Sequence, residues 1–155
     1  MAGEVEARLS ELGITLPEPV AAAANYVPAV RSGNMLYISG QLPIGPGGVT
    51  LTGTLGAGIS VEDAQKAAQL CAINVMAQAR AALGDLDKVA RVVKLVGFVA
   101  STPDFGDQPK VVNGASDLMV AAFGEKGRHA RSAVGVAALP FGAAVEVEAI
   151  IEIAS

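Results

Sequence analysis

Tryptophan is absent from the chain, and two tyrosines and four phenylalanines are its whole aromatic complement. Proteins that hold single-stranded nucleic acid stack bases on rows of aromatic side chains, so that mode has little to build on here. Basic charge is also short, with 11 Lys and Arg against 15 Asp and Glu and a formal net charge of -4. A phosphate backbone is bound by clustered cations that release its counterions, and this balance argues against a nucleic-acid partner. One histidine, His129, and one cysteine, Cys71, exclude a multi-histidine or cysteine-rich metal site and an intramolecular disulfide. Carboxylate sites for Mg²⁺ stay open, but no metal or cofactor is expected. No uninterrupted apolar run is long enough to span a bilayer, and the N-terminus has no secretory pattern. A cytoplasmic chain with no membrane partner is the expectation.

Apolar residues, by contrast, are plentiful: 52% of the 155 residues are hydrophobic and 17% charged. A chain of this length suits one domain that buries roughly two thirds of its unfolded surface. An apolar excess beyond that points to burial between subunits, so an oligomer is expected.

Val5, Leu9 and Leu12 recur at helical spacing before Gly13, Pro17 and Pro19 end the pattern. Residues 1–20 are therefore expected to form an N-terminal helical arm, and residues 21–155 a single domain. Residues 25–31 and 35–39 read as strands joined in a hairpin at Ser32-Gly33-Asn34. Ser39, before Gly40 and Gln41, either donates to a ligand or caps the turn. The glycine-rich stretch over 42–58 resembles a phosphate cradle but lacks the Gly-Lys-Ser/Thr that would make one. It is expected to be a flexible loop near a site mouth. Ser60 as N-cap and Gly84 as stop bracket a helix with Val61, Ala64, Ala68, Cys71, Val75 and Ala82 on one face. That stripe makes Cys71 an inert core residue. A long Val-rich strand follows over 89–100, with Lys88, Arg91 and Lys94 as its solvated rim. A second helix over 108–123, capped by Asp107 and closed by Gly124, carries Asn113, whose amide either bonds backbone or reaches a site.

The last quarter of the chain reads as two adjacent strands joined at Leu139-Pro140-Phe141-Gly142. In the second of them Val145, Val147, Ala149, Ile151 and Ile153 share one face, while Glu146, Glu148 and Glu152 share the other. In the first, Arg131 shares its face with Ala133, Gly135 and Ala137. A guanidinium standing over minimal side chains suits a small carboxylate bidentately, or else forms a surface pair with a glutamate. The order β, β, α, β, α, β, β gives an α+β two-layer domain, a mixed β-sheet with two helices packed on one face.

Several of these segments together are similar to one known family. Arg131-Ser132, Val134, Val136, Leu139-Pro140 and Val145-Glu146-Val147-Glu148 resemble the closing signature of the RidA family, also called the YjgF or L-PSP family. The segment from Gly33 to Pro43 resembles that family's Gly-Asn and Ser-Gly-Gln-Xaa-Pro pattern, and Tyr26 and Asn113 fall where the family has an aromatic hydroxyl and a helix asparagine. The resemblance implies a chorismate-mutase-like fold, a homotrimer with ligand sites in the clefts between subunits, and hydrolysis of short-lived enamines and imines of the 2-aminoacrylate type to 2-oxo acids and ammonia, with no cofactor. It implies Arg131 as the clamp for a carboxylate-bearing imine or 2-oxo acid and Glu148 as the base that handles water. Tyr26, Ser39, Asn113 and Ala133 would complete the pocket, and Glu146 is a solvated neighbour. Two departures stand out: Ala133 replaces the cysteine of many members, and Ala24-Asn25 replaces a Gly-Pro before the aromatic. They mark a divergent subgroup, for which a non-catalytic carboxylate-binding or regulatory trimer is the alternative. Ribonuclease or translation inhibition, activities named in parts of the family, fit the acidic and aromatic-poor composition least.

Overall fold

The structure, a computed structural model, describes residues 3–22 and 24–155. Met1 and Ala2 of the expected arm, and Ala23, lie outside the described residues.

Ser60 starts helix α2, Val61–Leu83, by accepting a hydrogen bond from the Asp63 amide at 3.1 Å. Gly84, at φ 84, stops it in a conformation that a side chain would resist. Ala64, Ala68, Cys71 and Val75 face inward as their spacing predicts, and Ala67, Ala72, Met76 and Ala79 widen the stripe. Ala82 is exposed instead, because Leu83, four residues after Ala79, takes the last inward position. The second helix, here α3, spans Gln108–Phe123 between Asp107 and Gly124. Asp107 occupies the N-cap position, but its side chain makes no capping bond and instead lies 3.7 Å from Lys110 Nζ.

Five strands form the main sheet: β1, Ala29–Ser32; β2, Met35–Gln41; β5, Val89–Ala100; β6, Ala130–Val136; and β7, Val145–Ile153. Their order is β1-β2-β7-β5-β6. The hairpin turns through Gly33-Asn34, with Gly33 at φ 60, and residues 25–28 stay outside β1. The two strands of the last quarter are not neighbours as the sequence suggests, for β5 lies between them, parallel to β6 and antiparallel to β7. Parallel pairing needs a crossover, and α3 supplies it, putting β6 at the sheet edge. The chain then crosses the end of β5, where the Ala100 amide donates to the Ala144 carbonyl, and enters on the other side. A strand that alternates buried and half-buried throughout, as β7 does, belongs in the middle of a sheet with one face covered.

The glycine-rich stretch is partly a hairpin, β3, Ile44–Gly45, paired with β4, Gly48–Val49. Asn74 of α2 holds it by donating to the Leu42 and Ile44 carbonyls at 3.0 and 3.1 Å. The helices α2 and α3 cover one face of the sheet, where Leu36, Ile38, Leu95, Val99, Val145, Val147 and Ile151 are buried. Gly97 in β5 leaves the room that Val112 of α3 fills. A third helix, α1, Glu4–Glu11, buries Val5 and Leu9 in the same core. The Asp87 carboxylate accepts from the Glu4 and Val5 amides at 2.9 and 3.0 Å, and Arg80 pairs with Glu6 at 2.8 Å. Leu12, expected in the buried stripe, is half exposed because α1 ends one residue before it.

Cys71 is fully buried, its thiol 3.8 Å from the Val145 carbonyl. Burial, and then the charge of Glu146, pushes its ionisation well above the ordinary thiol range. Cys71→Ala should therefore cost about 1 kcal/mol through a small cavity, and an alkylating reagent should label the thiol only after denaturant unfolds the chain. Rapid labelling of the folded protein would show that the residue is reachable.

Candidate functional site

Between Ile38 and Gln41 the pairing of β2 with β7 slips, because three steps along β2 oppose two along β7. Such a bulge bends a strand and re-aims its side chains, and here it falls at Ser39 and Gly40. Beside it lies a cavity of about 270 Å³ lined by Tyr26, Ser39, Gly40, Pro140, Phe141 and Glu146, among others. Gly40 makes the seat for Glu146: a Cβ built there would stand 2.5 Å from the glutamate Oε1 and 2.7 Å from its Cδ. The carboxylate lies over the bare backbone of the bulge. Burial, and then the like charge of Glu148, raises the Glu146 carboxyl above its ordinary value.

A buried amide chain stiffens this cavity from behind. Gln78 of α2 donates to the Val20 carbonyl and, at 3.4 Å, to Gln41 Oε1, and Gln41 in turn donates to the Ser39 carbonyl at 3.2 Å. The cavity wall at residues 20–22 and the bulge thereby share one support. Phe141 forms part of the rim, 73% exposed and at φ 59, a left-handed conformation that is strained for an aromatic residue.

The second cluster stands at the other edge of the sheet. Arg131 pairs in register with Leu95, so its side chain is on the helix side, where Nη1 donates to Asn113 Oδ1 at 2.8 Å and to Ser116 Oγ at 3.2 Å. Ser116 Oγ lies 2.9 Å from His129 Nε2, and His129 Nδ1 lies 2.6 Å from the Gly127 carbonyl. Ala133, two residues along the same face, opposes Gly97 and packs against the core. Its single methyl leaves the floor beside the guanidinium low.

The sequence-predicted residues thus gather in two groups, Arg131 with Asn113 and Ala133, and Tyr26 with Ser39. Glu148 joins neither. It pairs in register with Val96, which also opposes Ser132, and so points to the open face of the sheet. The carboxylate that the structure brings to the Tyr26–Ser39 cavity is Glu146. Within one chain the two groups cannot meet, since Arg131 is on the helix face and Glu146 on the open face. Glu146 and Glu148 have the same parity along β7, so alternation could not choose between them. The signal that separates them is Gly40, whose missing side chain admits one carboxylate. Ser116 and His129 carried no sequence signal, because they meet Arg131 only through the packing of α3 against β6.

The sequence pattern of the family described as “YjgF/chorismate_mutase-like, putative endoribonuclease” matches residues 6–153. Protein TCP17 of Trypanosoma cruzi is 57% identical over 152 residues, covering 97% of this chain and 95% of that protein. The solved structure of the protein Atu1372 of Agrobacterium tumefaciens, of unknown function, superposes with a TM-score of 0.91 at 56% identity, covering 98% of this chain and 94% of the other. TdcF of E. coli, solved with bound serine, superposes with a TM-score of 0.64 at 27% identity, covering 92% of this chain and 97% of that one. The two-layer domain, its mixed sheet and these matches define a chorismate-mutase-like fold. The chain belongs to the YjgF family, in which the sequence resemblance had already placed it.

Proposed function

We propose that this protein hydrolyses short-lived imines of amino acids to 2-oxo acids and ammonia, in clefts where the Arg131 group of one copy faces the Glu146 cavity of the next within a homotrimer. The observation that carries this reading is the split site. A chain that holds a carboxylate-binding cation on one sheet face and a half-buried carboxylate beside a hydroxyl on the other has two complementary halves, and only a second copy can join them. TdcF, with serine bound, supplies a relative that takes an amino-acid carboxylate.

The chemistry asks little of the protein. A protonated imine is already electrophilic, so the site need only hold its carboxylate, place a water and manage one proton. Arg131 takes the carboxylate. Glu146, its carboxyl raised above the ordinary value by burial and then by Glu148, accepts a proton as the water oxygen bonds to the imine carbon, and returns it to the nitrogen of the resulting carbinolamine. The C–N bond then breaks as Glu146 takes the hydroxyl proton, the carbonyl forms, and the departing ammonia receives that proton and leaves as ammonium. Ser39 and Tyr26 are within the same cavity to orient the water or the leaving nitrogen.

Arg131→Lys keeps the charge and loses the fork, so pyruvate binding should weaken by roughly 10- to 100-fold, the worth of one charge-assisted hydrogen bond. The split site has a sharper test. Arg131→Lys and Glu146→Gln proteins, each strongly impaired at substrate concentrations below KM, are unfolded together and refolded as a mixture. Random assembly into a ring should restore about a quarter of the wild-type sites. No recovery would place the whole reaction within one chain or nowhere, and ligand binding without ammonia release would leave a binding protein.

A further inference from the structure

One side of the Arg131 guanidinium is held by an arrangement that imine hydrolysis does not require. The Gly127 carbonyl can only accept, so His129 Nδ1, 2.6 Å away, carries the ring proton. Neutral imidazole has one N–H, which leaves Nε2 as an acceptor. Ser116 Oγ, 2.9 Å from Nε2, must then donate its hydroxyl proton there. The serine oxygen, with its proton committed, turns its lone pairs to Arg131 Nη1 at 3.2 Å. Asn113, one turn earlier on the same face of α3, accepts from the same nitrogen at 2.8 Å.

The consequence for the guanidinium is specific. Nη1 donates to two acceptors on α3. Nε and Nη2 have no hydrogen-bond partner among the described residues. Those two nitrogens present parallel N–H groups along one edge of the guanidinium plane, the pair that takes a carboxylate side-on.

We propose that Ser116 and His129 are positioning residues: a relay from the Gly127 carbonyl through the Nδ1–H tautomer of His129 and the hydroxyl of Ser116 fixes the guanidinium of Arg131, so that its Nε–Nη2 edge is preset for a carboxylate before any ligand arrives. The proposal rests on the reading of Arg131 as the carboxylate clamp. A guanidinium already oriented loses less rotational freedom on binding, so the relay acts on affinity and leaves the water and proton steps to Glu146.

His129 is the only histidine in the chain, which makes the test direct. In protein labelled with ¹⁵N-histidine and with the imidazole neutral, Nδ1 should show the protonated shift and Nε2 the unprotonated one. The Nε–H signal of Arg131, assigned by its absence in Arg131→Lys, should report slow rotation of the guanidinium in the intact protein and faster rotation in Ser116→Ala. In turn, Ser116→Ala should weaken pyruvate binding roughly 2- to 12-fold, the cost of immobilising one long side chain on binding, raising KM with kcat nearly unchanged. Ser116→Thr, which keeps the hydroxyl, should restore both. An Nε2–H tautomer, or an Arg131 signal indifferent to Ser116→Ala, overturns the relay. These nitrogen measurements need no ligand, so they decide the relay separately from imine hydrolysis, which falls if the intact protein neither binds pyruvate nor releases ammonia.

Discussion

Replacing Glu146 with glutamine is expected to slow ammonia release from a 2-imino acid by roughly 100- to 10,000-fold, the usual contribution of a positioned general base, while carboxylate ligands still bind. The same substitution should stabilise the fold at neutral pH. The Glu146 carboxyl is raised above 4.5 by burial and then by Glu148, so the folded chain holds that proton more tightly than the unfolded chain does. Below the ordinary glutamate range both states are protonated and the residue costs nothing. As pH rises through the interval up to the raised value, ionisation is easier in the unfolded chain, and folding loses stability that it does not regain above. Glutamine has no such loss, so the advantage of Glu146→Gln over wild type should be absent well below the ordinary glutamate range and present at neutral pH, as read by denaturant unfolding under both conditions. Glu148→Gln separates the two glutamates. It keeps the base but removes a like charge, so the acid limb of the pH–rate profile should move to lower pH with the plateau little changed. Normal turnover in Glu146→Gln, with activity lost in Glu148→Gln, would return the base to the residue that the resemblance implied.

Gly114→Ala should unfold the protein at a markedly lower temperature, although helix propensity predicts the reverse. In an exposed helix interior, alanine gains about 1 kcal/mol over glycine. At Gly114 a Cβ would fall on the carbonyl oxygen of Gln65 in α2, a backbone atom that cannot rotate away. The helices would have to separate, and the Gln65 side-chain bond to the Lys110 carbonyl, 2.8 Å long, would stretch with them. Overpacking of this kind costs about 1–3 kcal/mol and sometimes more, which outweighs the propensity gain. Each net kcal/mol lowers Tm by roughly 2–4 °C in a domain of this size, compared at equal protein concentration. An unchanged or higher Tm would mean that α2 and α3 are not held at this distance.

Most of the architecture was legible from local rules. The bounds of α2, α3 and β5 follow from Ser60, Gly84, Gly124 and the Val-rich run, because caps and periodicity act over a few residues. The position of β6 was not legible, since alternation says which side of a strand is buried but not which strand lies next to it. The site divides the same way. Arg131, Asn113 and Ala133 could be grouped by resemblance, and the structure does bring them together. The seating of Glu146, and not Glu148, beside Tyr26 and Ser39 depends on a bulge one strand away, and the contacts of Ser116 and His129 on the packing of a helix against the sheet edge. Neither has a local sequence correlate.

The place of β7 bears on how the chain reaches this state. It follows every other strand in sequence, yet in space it lies between β2 and β5. Until it arrives, the β1–β2 hairpin and the β5–α3–β6 unit have no backbone pairing to one another, and each leaves an open edge toward the gap. Local contacts form early and distant ones slowly, so insertion of β7 is expected to come last in folding and to complete the bulge, the Glu146 seat and the sheet together. A chain stalled before that step exposes two unpaired edges, the form in which strands add to neighbouring molecules. An equally destabilising change should therefore slow refolding more in β1, whose hairpin forms early, than in β7, where it should mainly speed unfolding.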